Sequence, residues 1–166
     1  MTTPTLSTER LSLVPLQPSD ADEMATVLGD PALHAFIGGE PLDAQALRSR
    51  FERLAIGRSE DGREVWHNWI VRRLDTDEAV GTVQATAVPG AASAEIAWVI
   101  GVPWQGSGYA SEAARALVEW LATTGMTTIE THIHPRHAAS EKVAQRAGLT
   151  RTDELVTGER IWRIRI

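Results

Sequence analysis

Cysteine is missing from the chain altogether. Its absence removes disulfides, a thiolate nucleophile and cysteine-based zinc sites together. Tyrosine occurs once and phenylalanine twice, beside six tryptophans, so a phenolic proton donor has one place to reside. Long apolar runs are absent too: none approaches the roughly 18 residues that a membrane-spanning helix needs. The opening Met1-Thr2-Thr3-Pro4 has no basic head leading into an apolar stretch, so it does not read as a secretory signal. Nor is there a surplus of positive charge, the formal net charge being −6 over 166 residues. That argues against nucleic-acid binding, which wants a basic face. It leaves an anionic cofactor open, because backbone amides hold phosphate locally. The expectation is a cytoplasmic protein with no membrane or nucleic-acid partner, built as one domain over 1–166.

The chemistry concentrates in Gln105-Gly106-Ser107-Gly108-Tyr109-Ala110. Before it, Glu95 to Gly101 is a short apolar run suited to a buried strand. After it, Ala113, Ala114, Leu117, Val118 and Leu121 recur at helical spacing between Ser111 and Thr124. A strand that turns through two glycines into a helix leaves first-turn N–H groups pointing outward. Glycine admits a ligand close to the backbone, and the helix dipole adds partial positive charge. The product is a cradle for phosphate or diphosphate. A dinucleotide fold would want this turn within a series of βαβ units. Several strand-like runs joined by short turns precede it here, with no helical pattern between them, which disfavours that fold.

Arg10 to Leu16 alternates as a first strand, with Pro15 marking an edge or an end. Ser19-Asp20 offers caps for a helix over Ala21 to Leu28 stopped by Gly29, and Asp30 to Pro41 reads as a loop or bent segment. Asp43 caps a second helix bearing Leu47, Phe51, Leu54 and Ala55 on one face, closed by Gly57. Glu64 to Arg73, Ala79 to Val88 and the strand ending at Gly101 form an antiparallel meander. Thr127 to His134 follows the central helix as a strand, so a parallel βαβ crossover is expected. A short helix over Ala138 to Ala147 and a hairpin across Thr157-Gly158 complete the chain, with Trp162, Ile164 and Ile166 inward. The sum is an α/β (α+β) domain: a mixed, mostly antiparallel central sheet, a βαβ core and flanking helices.

Gln105-x-x-Gly108-x-Ala110 resembles the acetyl-CoA diphosphate motif of the GNAT family of N-acetyltransferases. Thr8-Glu9-Arg10-Leu11, the Glu95-Ile-Ala-Trp98 strand, Ser111-Glu112-Ala113 and the stretch from Ser140 to Gly148 resemble its ribosomal-protein-alanine (RimJ/RimL-like) branch. The resemblance implies acetyl-CoA as donor, held at its diphosphate by Gly106, Ser107, Gly108, Tyr109 and Ala110 with Gln105 at the loop's mouth. It implies that the two parallel strands splay and that Trp98 to Gly101 pairs with the pantetheine arm. The amide of Val99 or Ile100 is then the oxyanion donor. Many members carry a tyrosine after the fifth strand to protonate the leaving thiolate; Tyr109 belongs to the phosphate loop, so that acid is missing. Ser140 matches the serine of an Asn-x-x-Ser position and takes the acid or thiol-contact role, while His137 replaces the asparagine that contacts cofactor. The first two helices would line the acceptor pocket, and a homodimer is implied.

Among the side chains, Glu95 is the first choice for general base, because burial in an apolar strand raises a carboxylate pKa. His67, between Trp66 and Trp69, is the second. His132 and His134 share a strand face without a third ligand, so no metal is expected. Trp66, Trp69 and Trp98 have the flat area to wall an acceptor site, whereas Trp104 packs under the loop and Trp120 and Trp162 belong to a core. With neither cysteine nor a serine elbow, acetyl passes directly to an amine, either a protein N-terminus or a small molecule such as an antibiotic or polyamine. The competing expectation is an inactive acyl-CoA-binding sensor or assembly module, motivated by the missing tyrosine and by His137.

Overall fold

The computed structural model describes residues 2–166, with Ile37 as backbone alone. Met1, where the expected single unit and the N-terminal reading begin, lies outside them. In chain order the elements are β1 (Leu6–Ser7), β2 (Leu11–Pro15), α1 (Ala21–Val27), the single turn α2 (His34–Ile37) and α3 (Ala44–Ala55). The meander β3 (Val65–Arg73), β4 (Ala79–Val88) and β5 (Ser93–Ile100) comes next. Then α4 (Tyr109–Thr123) crosses to β6 (Thr128–Ile133), and α5 (Ala138–Arg146) leads into β7 (Thr150–Val156) and β8 (Glu159–Arg165).

Among the described residues the strands make one eight-stranded sheet, ordered β1-β2-β3-β4-β5-β6-β8-β7. Its neighbours are antiparallel except β5 and β6, which run parallel. The expected mixed sheet with its βαβ crossover is therefore present. Alternation assigns the faces. Trp69 and Val71 of β3 with Val83, Ala85 and Ala87 of β4 meet α4, whose Ala113, Ala114, Leu117 and Leu121 are fully buried. Two alanines let that helix lie close to the sheet, and each buried leucine contributes about 1.5–3 kcal/mol. Ile70, Leu16, Met24, Leu47 and Phe51 form a second core under α1 and α3 on the opposite face. No helix among the described residues is long and apolar enough to cross a membrane.

Four local expectations are corrected. The Asp20 carboxylate does not cap α1 but accepts from the Gln17 amide (2.8 Å) and faces Arg72 (3.4 Å). The 30–41 segment is not all loop: Pro31–Leu33 makes a 3-10 turn continuing into α2, with Asp30 accepting from the Ala32 amide. Ala55 ends α3 exposed. Ile166 is 56% exposed rather than inward, because it lies beyond the last paired residue of β8. Pro15 ends β2, as one of the two expectations had it, paired with Trp69 of β3 and beyond the reach of β1, which pairs only Ser12 and Leu13.

Candidate active site

Parallel pairing between β5 and β6 consists of Ser93↔Thr128, Ala94↔Ile129 and Glu95↔Glu130. Beyond Glu95, β5 continues to Ile100 on β4 alone, so the two strands part and a wedge opens. A groove of about 650 Å³ occupies it, lined by Trp98, Val99 and Ile100, by Gln105, Gly106, Gly108, Tyr109 and Ala110 at the start of α4, and by His137 and Ser140 of α5. Ser107 is not in the lining; its carbonyl accepts from Arg10 Nη1 at 2.9 Å.

The loop is shaped for an anion. Gly106 and Gly108 have φ of +83° and +85°, which L side chains adopt only with strain. A Cβ on Gly106 would meet open space, so its conformation, not crowding, demands glycine there. Gly108 is the N-cap of α4 and no side chain caps the helix, leaving first-turn amides free to donate. A diphosphate fits this set of donors. Sequence reasoning missed the brace behind it. The Glu112 carboxylate accepts from the Thr8 hydroxyl (2.5 Å), the Arg10 amide (2.9 Å) and Arg10 Nε (2.9 Å), while Arg10 also stacks over the Tyr109 ring at 4.7 Å. Burial opposes ionisation of Glu112, but these donors hold its carboxyl below the usual range. The sequence signal was the pair of matching blocks at each end of the brace.

At the end of β5 a Cβ on Gly81 would overlap the Val99 carbonyl oxygen, so that carbonyl presses against β4 at Gly81 within the ladder. In a trans peptide N–H and C=O point oppositely. The Ile100 N–H is thus aimed away from β4 into the gap, while the Val99 side chain takes the α1–α3 face of the sheet. Gln105 Nε2 donates to the Ile100 carbonyl (2.9 Å), tying the loop to this strand end.

A second cavity of about 120 Å³ opens on that face and shares Val99 and Leu33 with the groove. Leu16, Leu28, Leu47, Phe51 and Leu54 form its apolar side, and Asn68, Thr82 and Gln84 project from the sheet. Asn68 pairs across to Gln84, and Thr82 across to Val99, so the polar row reaches the groove. His34 also lines the cavity. Its Nδ1 lies 3.2 Å from the Gly38 carbonyl; a carbonyl only accepts, so Nδ1 donates and Nε2 is left as acceptor. Sequence reasoning did not find His34, hidden in a segment read as loop. Beside it, Phe36 stacks on His137 (4.4 Å between ring centres, 10°) and closes the head of the groove. Burial, then the charge of His134, keeps the His137 pKa below its ordinary value.

Both proposed bases are displaced. Glu95 is 52% exposed, lines neither cavity and lies 3.8 Å from His132 Nδ1. The burial that was to raise its pKa is absent. His67 is completely buried under α4 against Trp120 (4.9 Å) and lines neither cavity. Its Nδ1 is 2.8 Å from the Thr3 hydroxyl, and burial lowers its pKa. The three tryptophans do not share a wall either. Trp98 is in the groove, Trp69 is in the core with Nε1 donating to the Pro4 carbonyl (2.6 Å), and Trp66 Nε1 bonds Glu64 (3.0 Å). Trp104 packs against Gly101, with Nε1 donating to Glu78 (3.0 Å), and lines the groove. Among the described residues no group of three His, Asp or Glu is placed to hold a metal.

A long groove ending on an uncapped helix terminus, joined at one strand end to a small cavity, has the shape that a two-substrate class of protein would use. The particular class follows from comparison: the chain belongs to the acetyltransferase (GNAT) domain family, whose model matches residues 10–150. It is 28% identical over 164 residues to an uncharacterised N-acetyltransferase, p20, of Bacillus licheniformis, covering 95% of this chain and 91% of the relative. The crystal structure of an acetyltransferase from Agrobacterium tumefaciens superposes with a TM-score of 0.77 at 25% identity, covering 100% of this chain and 96% of that one. RimL, a ribosomal alpha-N-protein acetyltransferase solved in complex with coenzyme A, gives 0.82 at 17% identity and 98% coverage of both chains, a likeness of fold.

Proposed function

We propose that the protein transfers the acetyl group of acetyl-CoA directly to a primary amine, as a member of the RimJ/RimL-like branch. The observation that carries this is the parting of β5 from β6 beyond Glu95, above an α4 terminus whose amides are free. Bound acetyl-CoA supplies an acetyl group activated as a thioester. The amides of Gly108, Tyr109 and Ala110, with Gly106 and the braced Ser107, hold its diphosphate, and Gln105 fixes the loop's mouth. The edge from Trp98 to Gly101 positions the pantetheine arm. Ile100 N–H, rather than the Val99 amide, donates to the oxygen that gains negative charge. His34 Nε2, left as an acceptor by the Nδ1–Gly38 bond, takes the amine proton. Ser140 Oγ, 3.4 Å from His137 Nε2, faces the thiol end of the groove. Holding the two reactants in adjoining cavities supplies much of the rate. Length and composition support one domain acting in the cytoplasm, and resemblance alone supports a homodimer.

Calorimetric titration of acetyl-CoA tests the reading. Gly108→Val places a branched side chain at positive φ beside Arg10 and is expected to weaken binding about tenfold or more. Unchanged affinity would overturn the proposed cradle. Binding without release of free thiol, across a panel of amines, would instead favour the inactive module.

A further inference from the structure

The acceptor cavity says which amines fit. No carboxylate lines it; its ionisable residues are His34 and Arg50, and Arg50 is exposed at the rim. The chain's net charge of −6 is therefore not expressed where an acceptor would bind. Six leucines and Phe51 supply most of the remaining wall, with Asn68, Thr82 and Gln84 grouped on the sheet side. Among the described residues, the side chains of these three make no hydrogen bond within the protein, so they are free to meet an incoming amine. A polycation would bring further ammonium groups to apolar walls and to a guanidinium, without a counter-charge.

From this, and resting on the acetyltransferase reading above, we propose that the acceptor is a single α-amine whose carrier places an uncharged aliphatic side chain in the cavity. The polar row orients the amine towards Val99 and His34. The side chain fills the space between Leu47, Phe51 and Leu54. Arg50 at the rim faces the carboxylate of a free amino acid or the carbonyls of a peptide. At about 120 Å³ the cavity has room for a handful of non-hydrogen atoms. Polyamines and aminoglycosides are excluded.

The test compares free leucine, a leucine-headed tripeptide, the glycine-headed tripeptide of otherwise identical sequence, spermidine and kanamycin. Thiol release is read with saturating acetyl-CoA. The leucine-headed peptide is expected to exceed the glycine-headed one by about tenfold or more in kcat/KM, and the polycations to fall below both. Free leucine equal to or better than its peptide identifies an amino-acid acceptor; the reverse order identifies a peptide terminus, and both agree with the proposal. Independently of turnover, titrating the leucine-headed peptide into cofactor-free protein is expected to shift the methyl resonances of Leu47, Leu54 and Val99. Leu42→Asp adds a carboxylate at a rim position that is 40% exposed, with little risk to folding. It is expected to raise kcat/KM for spermidine and lower it for the leucine-headed peptide. Equal efficiency of the two tripeptides, preference for a polycation by the unaltered protein, or unmoved methyl resonances would each overturn the inference while leaving acetyl transfer intact. Failure to bind acetyl-CoA at all would remove the reading on which it rests.

Discussion

His34 and His67 carry the same imidazole into opposite surroundings. His34 lines an open cavity with Nδ1 committed to Gly38, so its free nitrogen can take a proton from an amine. His34→Gln is expected to lower kcat by about 10²-fold or more. Glu95→Gln, at an exposed position, is expected to leave kcat unchanged. Steady-state rates between pH 6 and 9 check both. His67 is closed in, and burial pushes its pKa below the ordinary value of about 6.5. The unfolded chain then takes up the proton first, so this stabilisation is complete above about pH 6.5 and is lost as pH falls towards the folded value. In thermal melts at pH 5 and 7.5, His67→Phe should show a smaller difference than the native protein. The sequence placed both Glu95 and His67 on strands, correctly. Alternation gives the face of a residue but not what covers that face, and there the reading of each as a base broke down.

The segment from Gln105 to Ala110 holds its shape because other elements brace it. Gln105 ties it to the end of β5, and Arg10 ties Ser107 to Glu112 in the first turn of α4. The Arg10–Glu112 pair is partly exposed, with side chains 43% and 17% accessible, so solvent screens it. Glu112→Gln is expected to cost about 1–3 kcal/mol of stability, since the amide keeps one acceptor oxygen and turns an NH2 towards the other donor. Its larger effect should fall on the loop: a severalfold weaker affinity for acetyl-CoA with kcat little changed, read by calorimetry beside a denaturant melt. The glycine turn, α4 and the parallel crossover were legible because each has a local signature. The small cavity was not. Its walls come from α1, α2, α3 and three strands, so no short window of sequence contains it. The turn α2 was obscured by Pro31 before it and by Gly38-Gly39 after it, both at positive φ.

In the whole molecule, the sheet is two leaves. β1 to β5 carry α1 to α3 on one leaf, and β6, β8 and β7 with α5 make the other. Three paired positions, the crossing α4 and a shared apolar core join them. This order was readable in part: the meander and the hairpin were expected, whereas the insertion of β8 between β6 and β7 depends on long-range pairing that no local pattern encodes. Amides of β5 beyond Glu95 that face the gap have no strand partner there, so they should exchange with solvent faster than those of β4. Acetyl-CoA is expected to slow them selectively, as hydrogen–deuterium exchange followed by mass spectrometry would report.

A spine so short leaves a fold in the sheet beyond which the two strand edges face one another unpaired. Coenzyme A lying in that fold would act as a removable ninth strand. The same ligand that brings the acetyl group would then bridge those edges, and its departure as free thiol would leave them bare before the next reading.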